Sequence, residues 1–165
     1  MSEQVRVEIT GVNSSREPPG ATVSYHVRNE SAAPVWLVND RWLIWRQEGA
    51  RIEISLARGR MQPGSEVFGY FAPAVLEIEP GGSVSDALAL SWPLSLDPLW
   101  NEPSEAAPPP GRYELTLRVG YGLTPSPGGP RSGEGVEEPV FRWQREAVSD
   151  PFPFDTEGVG EAPHE

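Results

Sequence analysis

The amino-acid sequence predicts an all-β domain, an antiparallel sandwich of about seven to nine strands with proline-rich loops and an acidic C-terminal tail. Three observations support this prediction. Apolar residues recur at every second position, the 165 residues include 17 glycines and 19 prolines, and no 11-residue window has the period of a helix. We therefore expect one domain over residues 1–146 and a flexible tail over residues 147–165.

The first sixty residues contain five predicted strands. Residues 3–12 alternate apolar and polar side chains, and residues 21–29 do the same after the turn NSSREPPG. A third strand, VWLVN, is apolar on both faces, which is typical of a strand covered on both sides or of one that exposes a tryptophan for use. DRWLIWRQ and RIEISLA then form a predicted hairpin closed by EGA.

The later strands are separated by glycine- and proline-rich loops over residues 58–74, 93–110 and 122–135. LEIEPGGSVSDALAL predicts an extended segment, a Pro-Gly-Gly turn and a strand. EPVFRWQRE is the last predicted strand. The most regular strand lies in PPPGRYELTLRVGYG, whose apolar face comprises Tyr113, Leu115, Leu117, Val119 and Tyr121.

The last twenty residues carry six acids and no arginine, more than half of the net charge of -11. They show neither alternation nor enough apolar surface to fold alone, which predicts a tail. Within it, DPFPFD combines Phe152 and Phe154 with two prolines, so this segment resists helix formation and suits docking in the groove of a partner. The alternative is a tail that only aids solubility.

Three segments carry a resemblance to known domains. PPGRYELTLRVGYG resembles the penultimate strand of immunoglobulin-like and fibronectin-like domains, whose Pro-Gly-x-Tyr entry places a tyrosine at the corner between the sheets. Tyr113 matches that position. YHVRNESAAPVWL and LEIEPGGSVSDALAL are similar to segments of bacterial members. The resemblance implies an immunoglobulin-like sandwich with Tyr113 in a structural role, and it implies no particular function, because this fold serves unrelated functions.

Composition excludes several kinds of chemistry. All 13 basic residues are arginine and there is no cysteine, which excludes Schiff-base lysines, phosphate-loop lysines, thiol nucleophiles and disulfides. The negative net charge would repel a phosphate backbone, so we expect no nucleic-acid partner. The N-terminus resembles no signal sequence, and no apolar run reaches membrane-spanning length. We therefore expect a cytoplasmic protein without a membrane partner.

Candidate catalytic groups are sparse. His26 is the one histidine in a predicted strand, and alternation places it on the polar face, which favours a solvent-facing or hydrogen-bonded imidazole over a triad member. Two carboxylate pairs, Glu77 with Glu79 and Glu137 with Glu138, show no convergence of the kind that glycoside hydrolysis requires. We expect no catalytic residue and no enzymatic activity.

Candidate metal ligands are equally few. Asp97, Asn101 and Glu102 offer oxygen ligands, but their spacing matches no calcium loop. The Gly-Gly pairs at 81–82 and 128–129 are turn residues without the pattern of a phosphate-binding loop. We expect no metal site and no cofactor.

Six tryptophans exceed what a small core needs. Trp42 and Trp45 are three positions apart, so they point to opposite faces if that stretch is extended, and at least one of them faces outward. Trp100 lies in a proline-rich loop. Because tryptophan is favoured at binding hot spots, we take Trp42, Trp45 and Trp100 as candidate binding residues, together with Phe152 and Phe154. Trp36 is assigned to the core.

These observations favour a non-catalytic protein-binding or scaffold module that presents loops and exposed tryptophan to a protein partner. One alternative is a protein similar to bacterial intracellular proteinase inhibitors, which the chain resembles in size, sandwich pattern and the Pro-Gly turn before a late strand. A second alternative is a carbohydrate-binding module that stacks sugar rings on Trp42 or Trp45.

Overall fold

The computed structural model describes residues 4–16, 19–39, 43–57, 74–91, 111–125 and 143–155. Ten strands lie in these ranges, arranged in two sheets. Their bounds are β1 (Val5–Arg16), β2 (Pro19–Asn29), β3 (Val35–Val38), β4 (Ile44–Glu48), β5 (Arg51–Ser55), β6 (Val75–Ile78), β7 (Ser83–Ser91), β8 (Arg112–Gly122), β9 (Arg145–Val148) and β10 (Phe152–Asp155). One sheet has the order β1-β2-β7, and the other has the order β4-β5-β8-β3-β6 with β9 and β10 also paired to β8.

The predicted all-β class is confirmed, and two sheets agree with a sandwich. The antiparallel prediction is wrong at one position, because β5 pairs with β8 in parallel, with Ile52 beside Leu115 and Ile54 beside Leu117. All four side chains are fully buried, so this pairing joins the most apolar segments of the sheet. The described ranges contain ten strands instead of seven to nine, since the predicted tail contributes β10 and the predicted extended segment forms β6.

β8 is the central strand of the larger sheet and pairs with four of the described strands. Residues 114–118 pair with β5 and residues 121–122 pair with β3. Residues 112–115 pair with β10, and residues 118–121 pair with β9. Glu114 and Arg118 each have two partners, so β9 and β10 lie along the edge opposite β5. This position explains why β8 is the most regular strand in the sequence.

The core is a single cluster of side chains from both sheets, and the predicted apolar face of β8 belongs to it. A hydrogen bond of 2.7 Å from the Ser14 hydroxyl to the Asp155 carbonyl also joins β1 of one sheet to β10 of the other. The three-stranded sheet contributes Val5, Val7, Ile9, Ala21, Val23, Tyr25, Val27, Leu88 and Leu90. The seven-stranded sheet contributes Val35, Leu37, Ile52, Ile54, Ile78, Tyr113, Leu115, Leu117, Val119, Tyr121, Ala147 and Phe154.

Asn29 joins the two sheets at one end and is fully buried. Its amide donates to the carbonyls of Ala33 at 2.8 Å and Ile78 at 2.9 Å. Its carbonyl accepts from the Ser31 N–H at 2.9 Å and the Ser31 hydroxyl at 2.7 Å. The Asn29 N–H donates to Gly82 at 3.0 Å. The side chain thus makes all four of its possible hydrogen bonds, and it links two of the connections that cross between the sheets, β2 to β3 and β6 to β7.

Two predicted turns are confirmed. The hairpin of β4 and β5 is confirmed, but two residues close it instead of the predicted EGA, because Glu48 belongs to β4; Gly49 has a positive φ of 60°. Between β6 and β7, Gly82 donates its N–H to Glu79 at 2.8 Å. Pro80 and Gly81, whose φ is 75°, occupy the central positions as in a type II turn.

The first hairpin is longer than predicted. β1 continues to Arg16 and β2 begins at Pro19, so residues 13–16, assigned to a turn, pair with residues 19–22. Thr10 is an extra residue in β1, because the register changes between Ile9 and Gly11. Most residues of the three predicted loops lie outside the described ranges.

The predicted domain boundary at residue 146 does not fit the described part of the C-terminal segment. β9 and β10 follow one another along β8, and Ala147 and Phe154 are core residues. The Phe154 ring lies 6.0 Å from that of Tyr113, and Phe152 packs against the core. The prediction failed because β9 and β10 have only four residues each, too few to show a clear alternation. Which of their side chains face the core is determined by their pairing with β8. Residues 156–165 lie outside the described ranges.

A bulge separates β9 from β10. Val148 is opposite Arg118 and Phe152 is opposite Leu115, so three residues of the segment face two residues of β8. Ser149 closes this bulge. It donates its N–H to the Leu117 carbonyl at 2.9 Å and accepts the Leu117 N–H with its hydroxyl oxygen at 2.9 Å. The hydroxyl therefore replaces a backbone carbonyl in the ladder.

The alternation Pro-Phe-Pro-Phe at residues 151–154 has a structural reason. Glu114 donates its N–H to Ala50 on the side of β5, so Glu114 and its partner Pro153 exchange no hydrogen bonds. The backbone of Pro153 thus points to the outer edge of β10, where a proline offers no donor to another strand. Phe152 and Phe154 occupy the alternate positions and face the core. Among the described strands, the motif therefore forms a protected edge.

Candidate functional site

The outer face of the seven-stranded sheet is formed by the side chains that point away from the core. On β8 these are the even-numbered residues. Arg112 and Glu114 are exposed, and Thr116 and Arg118 are half-buried. The last two outward positions are Gly120 and Gly122, which have no side chain to cover this end of the strand. Residues that precede β9 cover it instead.

Trp143 lies against Gly122. A Cβ atom on Gly122 would overlap the indole ring, so only glycine permits this contact. Gly49 and Gly81 are the described glycines with positive φ, so at Gly122 the requirement is space rather than backbone conformation. The Trp143 Nε1 donates to the Thr124 carbonyl at 3.0 Å and the Thr124 hydroxyl at 2.9 Å. The ring is thus held both by its contact with Gly122 and by the hydrogen bonds of its Nε1.

Trp36 is the neighbour of Gly122 on the adjacent strand. β3 places Trp36 opposite Gly122 on one side and opposite Glu77 on the other. Val35 and Leu37 belong to the core, whereas Trp36 is half-buried and absent from it. Directly opposite residues point to the same face, so Trp36 and Trp143 both lie beside Gly122 on the outer face. We call Trp36, Gly122 and Trp143 the tryptophan patch.

Polar and charged side chains border the tryptophan patch along β8. A Cβ atom on Gly120 would overlap the Gln144 amide, so Gln144 covers the next outward position. One position further, Arg118 donates from Nε to Glu53 at 2.6 Å and from Nη1 to Glu146 at 3.4 Å. Burial by itself lowers the pKa of Arg118, but the hydrogen bond and charge of Glu53 and the charge of Glu146 outweigh it and raise the pKa above its ordinary value. These groups form a fixed polar rim.

The exposed apolar groups of the described residues include two close to this region. Leu123, which follows Gly122, is 39% exposed, and Val148, opposite Arg118 on β9, is 37% exposed. The arrangement therefore offers two indoles, apolar flanks and a polar rim. It is suited to contact and stacking, whereas acid-base chemistry would need a different set of groups.

The sequence-predicted binding residues fall in different places. Trp42 and Trp100 lie outside the described residues, and for Trp45 only the backbone position in β4 is described. Phe154 is 8% exposed and is a core residue, and Phe152 packs on the core, so neither is presented as a free motif. Binding by Trp42, Trp45 and Trp100 stays a prediction.

The two predicted structural residues have different outcomes. Tyr113 is buried at the start of β8 and belongs to the core, where burial raises the pKa of its phenol. Trp36, which we assigned to the core, is instead half-buried on the outer face, because the alternation of β3 places its neighbours Val35 and Leu37 in the core.

His26 is hydrogen-bonded on the solvent side of β2, as predicted. Its Nδ1 lies 2.9 Å from the Ser85 hydroxyl, and Glu8 is opposite it on β1. This row contains the three group types of a catalytic triad. Glu8 and Ser85 are both exposed, however, so the row lacks the water-excluded pocket in which such groups act.

Metal ligands do not cluster in the described ranges: no group of three or more histidine or acidic side chains there could hold an ion. Within the same part of the chain, no helix has the length and apolar character required to cross a membrane.

The comparisons with known proteins give no relative. No family model, no curated protein and no solved structure matches this chain.

Sequence analysis missed the tryptophan patch. Trp143 was assigned to a strand over residues 138–146, but β9 begins at Arg145, and Trp143 precedes it. One signal was available. Gly120 and Gly122 stand at two successive outward positions of the most regular strand, which indicates that other groups cover that face.

Proposed function

We propose that this chain is a non-catalytic protein-binding module with an immunoglobulin-like sandwich fold, and that the tryptophan patch is its binding surface. The observation that carries this proposal is the placement of Trp36 and Trp143 beside Gly122 on the outer face of the sheet. Two tryptophans kept out of a core that contains 22 other residues indicate a use at the surface. A cytoplasmic setting stays a prediction.

The geometry of Trp143 favours tight contact with a partner. Its ring rests on Gly122 and its Nε1 is bound to Thr124, so little side-chain freedom remains to be lost on binding. Binding hot spots are enriched in such aromatic side chains and are surrounded by a rim that excludes water. Arg118, with its two acidic partners, and Gln144 supply that rim on one side.

The experiment captures partners from native lysate on the immobilised full chain and compares the Trp36→Ala, Trp143→Ala and Thr22→Ala variants. Thr22 is exposed on β2 of the other sheet and serves as the control. We expect a stoichiometric partner whose affinity falls by tenfold or more in each tryptophan variant, about the loss expected of a hot spot. If the Trp36→Ala/Trp143→Ala double variant keeps its thermal transition and captures the partner as well as the native chain does, the proposal is contradicted.

A carbohydrate-binding module is the second candidate, and one observation favours it. The Cε2, Cζ2 and Nε1 atoms of the Trp143 ring lie against Gly122, and Trp143 is only half-buried. A fixed, half-buried indole on the outer face of the sheet is a suitable platform for the apolar face of a sugar ring. Titration with oligosaccharides, followed by tryptophan fluorescence in the native chain and in Trp143→Ala, separates the two candidates. A saturable change that Trp143→Ala abolishes would favour sugar binding.

A further inference from the structure

A second surface feature lies at the opposite end of β8 from the tryptophan patch. A shallow cleft of about 420 Å³ opens between the β4–β5 turn, the start of β8 and β10, and it is lined by Ala50, Arg51, Arg112, Tyr113, Glu114 and Pro153. Arg112 and Gly122 are ten residues apart along the strand, which corresponds to roughly 33 Å. The cleft is therefore a site separate from the tryptophan patch.

The pairing register explains how the cleft forms. Arg51 and Pro153 flank Glu114 on either side in one cross-strand row, and Arg112 is the preceding outward residue of β8. Ala50 accepts the Glu114 N–H at 2.8 Å, which fixes the turn against the start of β8. The two guanidinium groups are thus carried by strands whose backbones are tied together.

Arg51 and Arg112 differ from Arg118 on the same face. Arg118 pairs with Glu53 and Glu146. Arg51 and Arg112 are both exposed, and neither forms an ion pair with a carboxylate among the described residues, although Glu114 and Asp155 are their partners in the register. Two arginines without an ion pair among the described residues therefore line one cleft and give it available positive charge in a chain of net charge -11.

We propose that this cleft binds the carboxylate of a small organic ligand. A guanidinium group presents a planar pair of N–H donors that matches the two oxygens of a carboxylate, and two such groups can hold one carboxylate from both sides. The volume lies within the range of small-molecule sites. Tyr113 and Pro153 supply the less polar walls.

Glu114 narrows the ligand class. Its carboxylate lines the same cleft, so a ligand of high negative charge, such as phosphate, is repelled, and a ligand that carries an ammonium or hydroxyl donor beside its carboxylate is favoured. The ligand that fits is therefore an amino acid or a hydroxy acid rather than a phosphate ester.

The test titrates the isotope-labelled full chain with L-glutamate, succinate and inorganic phosphate at constant ionic strength, following backbone amide shifts. We expect saturable shifts at Arg51, Arg112 and Glu114 with glutamate, with a dissociation constant on the order of 1 mM. The Arg51→Gln/Arg112→Gln variant should bind at least about tenfold more weakly, and Arg28→Gln, an exposed arginine of β2, should bind normally. Glu114→Gln should remove the preference for glutamate over succinate.

Three results would overturn the proposal: no saturable shift with either carboxylate, the same affinity in the double arginine variant, or equal weakening by Arg28→Gln. Tighter binding of phosphate than of both carboxylates would overturn the ligand class. If the double variant does not fold, Arg51→Lys and Arg112→Lys keep the charge but lose the paired donors, and unchanged affinity in both would also overturn it.

Discussion

Replacement of Phe154 by alanine tests whether the C-terminal segment is part of the folded domain. Phe154 is 8% exposed, and its ring lies 6.0 Å from that of Tyr113 at an interplanar angle of 34°. Burial of a phenylalanine side chain stabilises by about 1.5–3 kcal/mol, and an aromatic pair in this geometry adds about 0.5–1.5 kcal/mol. Because β10 is a strand at the sheet edge, part of the cavity can collapse. We expect Phe154→Ala to lower the free energy of unfolding by about 3 kcal/mol.

The assay is urea unfolding followed by circular dichroism, with thermal unfolding as a second measurement. A loss of about 3 kcal/mol corresponds to a fall in melting temperature of roughly 6–12 °C for a chain of this length. Val148→Ala is the control, because Val148 lies in the same segment but is 37% exposed, and it should cost less than about 1 kcal/mol. If both variants change the free energy of unfolding by less than about 0.5 kcal/mol, the segment is not packed on β8 and the reasoning is refuted.

Three further predictions follow from buried contacts. Asn29→Ala removes four side-chain hydrogen bonds and should lower the free energy of unfolding by about 3 kcal/mol in the same urea assay; a loss below about 1 kcal/mol would count against its role in joining the sheets. Gly122→Ala should displace Trp143, shifting its fluorescence and lowering stability by about 1–3 kcal/mol. Gly11→Ala is the control, because a Cβ on Gly11 would meet no neighbouring atom, and it should leave the free energy of unfolding nearly unchanged. If Gly11→Ala and Gly122→Ala lower stability equally, the overlap with Trp143 is not the cause. Burial raises the pKa of Tyr113, so the folded state keeps this proton to higher pH than the unfolded chain. The protonated phenol therefore contributes fully to the free energy of unfolding below pH 10, and this contribution declines as the pH rises through the pKa of the folded state. Tyr113→Phe should reduce the loss of stability at alkaline pH in the urea assay. The same dependence of stability on pH in Tyr113→Phe and the native chain would contradict this prediction.

The architecture was predictable wherever a strand carries a clear two-residue period. β8 shows this best, because Tyr113, Leu115 and Leu117 alternate with exposed or half-buried residues in the structure as they alternate with polar residues in the sequence. The Pro-Gly-Gly turn and the hairpin at Gly49 were also predictable, although its loop is one residue shorter than the predicted EGA, since positive φ at Gly49 and Gly81 is a local requirement. Local chemistry determines these features.

The features that could not be predicted from the sequence depend on contacts between residues that are distant in sequence. The parallel pairing of β5 with β8 joins residues that are more than sixty positions apart, and alternation within either strand says nothing about direction. Phe152 and Phe154 were assigned to a tail because a short strand at an edge takes its buried face from its neighbour. The tryptophan patch was missed for the same reason, since the contact between Trp143 and Gly122 is specified by the sheet and not by either residue alone.

The neighbours of β8 also determine when the larger sheet can be completed during synthesis. β1 and β2 are joined by a short connection and can associate as soon as both have been made. β8 can pair with residues 51–55 at one edge as soon as it has been made. Its other edge stays uncovered until residues 145–155 have been synthesised. Until then a long apolar strand presents unpaired amides and carbonyls to any nascent chain nearby. A premature stop before residue 145 should therefore leave this edge of β8 uncovered and yield insoluble product.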